Sequence, residues 1–270
     1  MRVRTLSKHS KQLAVLAVGV VAGAVVAGGS FAMADNSAPR SDKQITNMTT
    51  EVAQIEAYYG DTVDANGEHF ASPDSNYAIQ VNGIEAKAEK YLAKQIKQGK
   101  QDKHGKNLKK AIVLDVDDTA LSTYNYEIET TFVYNPTSNA NYIATKTMPA
   151  VFGMNTLASW AQKQGYTVFY ITGRPEAQRS YTAANLAAVG FPAAGASNLF
   201  LKNSAAPPAY LTCATPTYTC TTIQYKSQTR AHIESLGYDI VANFGDQYSD
   251  LSGGFAEQTY KIPNPMYYLP

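Results

Sequence analysis

The sequence predicts an α/β protein built around a doubly wound parallel sheet. Three observations point there. From Lys109 onward, short apolar runs alternate with amphipathic stretches, the pattern of consecutive βαβ units. Each of three amphipathic stretches is followed by a glycine, at Gly165, Gly190 and Gly237, where helices end in left-handed backbone. The first apolar run, Ala111–Leu114, is unbroken by polar residues and leads straight into Asp115 and Asp117. A strand covered on both faces reads this way, and its carboxyl end is where open α/β sheets bind ligands.

In chain order, Arg2, Arg4, Lys8 and Lys11 precede an Ala/Val/Leu/Gly run from Leu13 to about Gly28, and Ala32-Met33-Ala34 supplies small residues for a signal peptidase. Residues 1–34 are therefore expected to be a secretory signal peptide of the Sec type, since no Arg-Arg pair is present, with cleavage before Asp35. The run is short of the roughly 20 residues of a spanning helix and is diluted by Gly, so no stable membrane anchor is expected after cleavage. Residues 35–74 form an N-terminal extension with one helix, marked by Ile45, Met48, Val52, Ile55 and Tyr59 at helical spacing. The main domain, 75–270, opens with a second helix after Pro73 and Asp74 that carries Ile84, Ala88, Tyr91, Leu92 and Gln95. Strands are predicted at 111–115, 167–172, 198–201, 240–245 and 259–262, with helices at 150–164, 175–189 and 222–236.

Loss of the signal removes four basic residues from 23 and leaves a net charge of about −3, which excludes strong general attraction to nucleic acid. The four histidines, His9, His69, His104 and His232, make no zinc-like cluster, and no G-x-G-x-x-G follows the first strand, so zinc and dinucleotide chemistries lack their ligands. Cys213 and Cys220 are the only cysteines; in an exported chain they are expected to form one short disulfide. Neither has an Arg six positions on, as a cysteine phosphatase would need.

The informative residues stand where strands end. Asp115, Asp117 and Thr119 form D-x-D-x-T after the first strand. Acids at i and i+2 repel, so a site that keeps both holds a cation or keeps one protonated. The second strand ends in Thr172-Gly173-Arg174, a hydroxyl, a flexible residue and a cation suited to a phosphate. Lys226 lies in the first turns of the helix at 222–236, and the fourth strand runs into Asp246 and Asp250. Singly, each has an ordinary explanation as a cap or a surface charge. Together they place acids, a hydroxyl and an ammonium at one sheet edge, the set needed to hold a phosphoryl group while a carboxylate attacks it.

In those roles Asp115 is the nucleophile and Asp117 the general acid and base. Thr172 and Lys226 neutralise the phosphoryl oxygens, and Arg174 binds substrate. Asp115, the backbone carbonyl of Asp117 and Asp246 are the expected Mg²⁺ ligands, with Asp250 either a further ligand or a residue that orients one.

The runs Asp115-Val-Asp-Asp-Thr119, Thr172-Gly-Arg174, Tyr225-Lys-Ser227 and Gly245-Asp-Gln-Tyr-Ser-Asp-Leu251 resemble the four motifs of the haloacid dehalogenase (HAD) superfamily, and more narrowly subfamily IIIB, the acid phosphatases and vegetative storage proteins. The resemblance implies a Rossmann-like core and Mg²⁺-dependent hydrolysis of small phosphomonoesters through an aspartyl-phosphate. Some storage members of the family lose the nucleophile; this chain keeps it. A catalytically weak storage or binding protein, and a phosphotransferase, are the alternatives. Asp118 has no role in this scheme, its side chain being expected to point away from its neighbours'.

Between the first strand and the next helix, residues 121–148 are expected to form a small cap over the site. Its aromatic residues, Tyr124 and Tyr126 among them, are candidates for stacking on a nucleobase or aryl leaving group. An insertion at 202–222, with Pro207, Pro208 and both cysteines, precedes the Lys226 helix.

Overall fold

A computed structural model describes residues 45–101 and 103–270; the predicted signal peptide and the start of the extension lie outside the described residues. Helix α1 (Met48–Tyr59) ends at Gly60, and a two-stranded hairpin follows, β1 (Thr62–Val63) paired antiparallel with β2 (His69–Phe70). Helix α2 (Asn76–Gln95) starts after Pro73 and Asp74, as predicted, with the Ser75 hydroxyl accepting from the Ala78 N–H. Its buried residues, Tyr77, Val81, Ala88 and Leu92, follow helical spacing on the face turned to the core.

Then come β3 (Lys109–Leu114), α3 (Tyr124–Glu129), α4 (Pro136–Thr145), α5 (Met154–Lys163), β4 (Thr167–Pro175), α6 (Arg179–Ala188), β5 (Leu199–Lys202), α7 (Thr222–Ser235), β6 (Tyr238–Gly245), α8 (Tyr248–Leu251) and β7 (Gln258–Lys261). The five long-range strands form one parallel sheet in the order β5-β4-β3-β6-β7. The chain builds outward from β3 in one direction, then returns to lay β6 on its other side. The direction reverses between β3 and β6, and the crevice above such a reversal is where open α/β sheets bind ligands.

Alternation along β3 divides the core. Ile112 and Leu114 face a layer with α2, α5 and α6, whereas Ala111 and Val113 face Phe169, Ile171, Ile240 and residues of α7. All four are at most 1% exposed, and each large apolar side chain so buried stabilises the fold by about 1.5–3 kcal/mol. A bulge opposite Ala111/Ile112 lets β6 contribute Ile240 to one layer and Val241 and Ala242 to the other.

Two helix starts differ from the sequence expectation. The helix expected from Ala150 begins at Met154, because Gly153 takes φ 70° and interrupts the helix there. The helix expected from Pro175 begins at Arg179: β4 continues to Pro175, and a single 3₁₀ turn, Glu176–Gln178, intervenes. Helix α1 packs into the main core, with Tyr59 fully buried and stacked on Tyr124 at 4.4 Å. Among the described residues no helix is long and apolar enough to cross a membrane.

Candidate active site

The site is assembled at the carboxyl ends of β3, β4 and β6 and the start of α7. Asp115 follows β3 directly, and its N–H donates to the Phe244 carbonyl of β6 at 3.0 Å, so the sheet ladder extends into the site. Helix α7 begins with a capping box between Thr221 and Gln224, which fixes its first turn and delivers Lys226 one turn in. The Lys226 ammonium donates to Asp115 Oδ1 and to Asp250 Oδ1, each at 2.5 Å. Carboxylate oxygens of Asp115, Asp246 and Asp250, all buried, lie within 4.8 Å of one another. Gly245 makes this approach possible, since a Cβ there would stand 2.3 Å from the Asp250 Cβ.

Three buried carboxylates against one ammonium leave negative charge uncompensated. Burial pushes Asp115 well above the usual carboxylate range, and Asp250, Asp246 and Asp117 add to that, while Lys226 opposes it. Asp246 is raised to about 7 by burial and by Asp250 and Asp118, against hydrogen bonds from Asn264 and Gln247. Burial works against the charge on Lys226, but its two carboxylate partners outweigh it and hold the ammonium protonated. Hard, buried oxygens close together, with a charge deficit that a divalent cation would cancel, are a donor set that fits Mg²⁺.

The hydroxyl of Thr172, fully buried, accepts from the Arg174 N–H at 3.1 Å, which leaves its own hydrogen to donate. Arg174, expected at the phosphate, instead grips Asp117. Its Nε lies 3.1 and 3.0 Å from the two oxygens of Asp117, and Nη2 lies 2.6 Å from Oδ1. Thr182 and the Met148 sulfur hold the remaining edges of the guanidinium. Asp118 is buried in left-handed backbone, φ 52°, where its carboxylate accepts from Thr123 N (2.9 Å), Thr123 Oγ1 (2.5 Å) and Tyr267 Oη (2.7 Å). It braces the loop that presents Asp115 and Asp117.

The segment expected to form the cap folds into two short helices, α3 and α4, tied to the hairpin by the His69 N–H donating to Asn125 at 2.7 Å. Tyr124 and Tyr126 do not present free faces to a substrate. They are 1% and 2% exposed, Tyr124 stacked on Tyr59, and Tyr126 packed on Tyr142 with its hydroxyl held at Asn135 and Ser138. Against the sequence expectation that these two rings stack on a substrate, helix α3 turns both inward; Tyr134, 67% exposed, is the open ring of this segment. The disulfide joins Cys213 and Cys220, as expected.

Sequence reasoning missed three contributors. Arg230, one helical turn beyond Lys226, is buried and donates to the carbonyls of Asp250, Ser252 and Gly254 at 2.5–2.8 Å. Asn264 and Tyr267, after the last strand, reach Asp246 and Asp118 at 2.7 Å. The i, i+4 spacing of Lys226 and Arg230 was a legible signal; nothing local marked the other two.

Fold and site together define a doubly wound α/β protein with an acid-lined, cation-suited centre at its topological reversal. The sequence model of the HAD superfamily, subfamily IIIB (Acid phosphatase), matches residues 33–270, and the chain belongs to that family. Acid phosphatase 1 of Solanum lycopersicum is 33% identical over 161 residues, which cover 58% of each chain. The stem 28 kDa glycoprotein of Glycine max is 29% identical over 171 residues, 60% of this chain and 61% of that one. The match thus spans a little under two thirds of these relatives' length. A solved class C acid phosphatase from Bacillus anthracis shares the fold with a TM-score of 0.60, at 20% identity, over 82% of this chain and 87% of that one.

Proposed function

We infer that the protein is a Mg²⁺-dependent phosphomonoesterase that works through an aspartyl-phosphate. The observation that carries this reading is the convergence of Asp115, Asp246 and Asp250 within 4.8 Å beside the Lys226 ammonium. Asp115, Asp246 and the Asp117 carbonyl are suited to hold Mg²⁺, with Asp250 close enough to join them or to orient Lys226; the ion supplies charge neutralisation for the phosphoryl oxygens.

The chain's own groups perform the proton and bond changes. An oxygen of Asp115 attacks phosphorus in line, and the bond to the ester oxygen breaks as Asp117 gives that oxygen a proton. Asp117, now a carboxylate, takes a proton from water, and the resulting hydroxide displaces Asp115 and releases phosphate. The Thr172 hydroxyl and Lys226 neutralise developing charge on the transferred group. Arg174 can accept the Asp117 carboxylate between the two half-reactions.

Its substrates on this reading are small phosphomonoesters. The cap's open ring at Tyr134 favours those with an aryl or nucleotide leaving group. A disulfide suits an oxidising compartment and supports secretion through the predicted signal peptide.

The test is phosphate release from p-nitrophenyl phosphate at pH 4–8. Wild type should turn over with Mg²⁺ and stop in EDTA, and Asp115→Asn should abolish turnover with the fold intact by circular dichroism. Equal rates in variant and wild type refute the assignment. Adding excess glycerol and assaying for glycerol phosphate separates hydrolysis from transfer to an alcohol.

A further inference from the structure

The segment that follows β7, outside the four motifs, also reaches the candidate site. Asn264 Nδ2 donates to Asp246 Oδ2 at 2.7 Å, and Gln247 Nε2 donates to the same oxygen, also at 2.7 Å. Oδ2 therefore carries two amide donors, whereas among the described residues Oδ1 meets only the Thr119 hydroxyl, at 3.4 Å. The orientation of the Asn264 amide is fixed by its other end: Oδ1 accepts from the Met266 N–H at 2.8 Å, so the NH₂ group must be the end turned to Asp246. The same tail holds the second donor. The Leu269 N–H donates to Gln247 Oε1 at 3.1 Å, Gln247 Nε2 reaches the Tyr267 carbonyl at 3.4 Å, and the Ser249 hydroxyl donates to the Leu269 carbonyl at 3.2 Å. Tyr267 anchors the tail to the first motif loop through Asp118.

We propose that Asn264 is a positioning residue for the cation centre, and that residues 264–269 act as a strap that sets which oxygen of Asp246 meets the ion. An oxygen already holding two N–H donors has its lone pairs engaged, so Oδ1 is the one left for a cation beside Asp115 and Asp250. Donors outside the ligand set typically change metal affinity by about 10–100-fold when removed, because they fix the orientation and basicity of the ligand. The inference rests on the cation reading above and adds to it a residue outside the four motifs.

The experiment titrates Mg²⁺ into the metal-free full-length mature protein by calorimetry. Wild type should bind, and Asn264→Ala should bind about 10–100-fold more weakly, while melting at the wild-type temperature in EDTA. The activation constant for Mg²⁺ should rise by the same factor, with KM for p-nitrophenyl phosphate at saturating Mg²⁺ nearly unmoved. Equal affinity in variant and wild type overturns the strap, and so does a variant that loses thermal stability in EDTA but keeps its affinity. If the variant does not fold, NMR of wild type decides: the Asn264 side-chain NH₂ should shift with Mg²⁺ along the calorimetric isotherm, and an NH₂ that ignores the ion overturns the proposal. A wild type that takes up no Mg²⁺ refutes the cation reading itself, a result distinct from either of these.

Discussion

Asp117 differs from the other acids of the site in its partner. Asp115 and Asp250 share an ammonium, whereas Asp117 lies in the fork of a guanidinium, whose planar N–H donors match a carboxylate. In the mechanism proposed above, Asp117 has to leave that fork to reach the leaving group and can return to it between the two half-reactions. Asp117→Asn should therefore slow esters with poor leaving groups, such as alkyl phosphates, far more than p-nitrophenyl phosphate; a uniform loss across a leaving-group series would assign Asp117 a structural role.

Glu127, on α3, is 6% exposed and raised to about 7, chiefly by burial and then by the charge of Asp117. Its folded form holds a proton more tightly than its unfolded form, so stability falls as pH climbs from about 4.5 to 7. Glu127→Gln should leave stability near wild type at pH 4 and raise it by up to about 3 kcal/mol at pH 8, read from urea unfolding in EDTA at both pH values. Asp115, Thr172, Lys226 and Asp246 were legible in the sequence because each is spelled at a strand end or helix start. The grip of Arg174 on Asp117 was not, because a strand that runs three residues past its expected end turns the guanidinium toward the first motif loop.

At the scale of elements, α7 is clasped on the side away from the acids. The insertion lays Tyr210 flat against His232 at 4.2 Å, and Thr212 donates to Gln228 at 2.7 Å. Leu211, Ala214 and Cys220 pack with Tyr225 and Ile233. The disulfide closes this clasp, and by chain entropy a loop of its size contributes about 2.5 kcal/mol. Replacing both cysteines by Ser should lower unfolding free energy by about that amount while sparing kcat at 25 °C; a large fall in kcat with little change in stability would mean that the clasp sets the position of Lys226. The strands and most helices were legible because apolar runs and closing glycines are local signals. The starts of α5 and α6 were missed because a left-handed Gly153 and a strand-extending Pro175 override helical spacing.

For the whole molecule, the order β5-β4-β3-β6-β7 brings together acids more than a hundred residues apart, and on the proposed reading a divalent cation relieves their mutual repulsion. Mg²⁺ at 100 times its dissociation constant should stabilise the protein by about 2.7 kcal/mol. For a domain of this size that raises Tm by roughly 5–10 °C. Scanning calorimetry of wild type and Asp246→Asn with and without Mg²⁺ checks this: the variant should gain little, and an equal gain in both would place the ion elsewhere.

The tail carries a consequence for how the protein is made. A growing chain has all its motif acids in hand while Asn264, Tyr267 and Leu269 are still to come, so the sheet can form before this corner of it is braced. The acids thus precede in the chain the segment that braces two of them, and the hold of Asn264 on Asp246 and of Tyr267 on Asp118 forms only once that segment has been made.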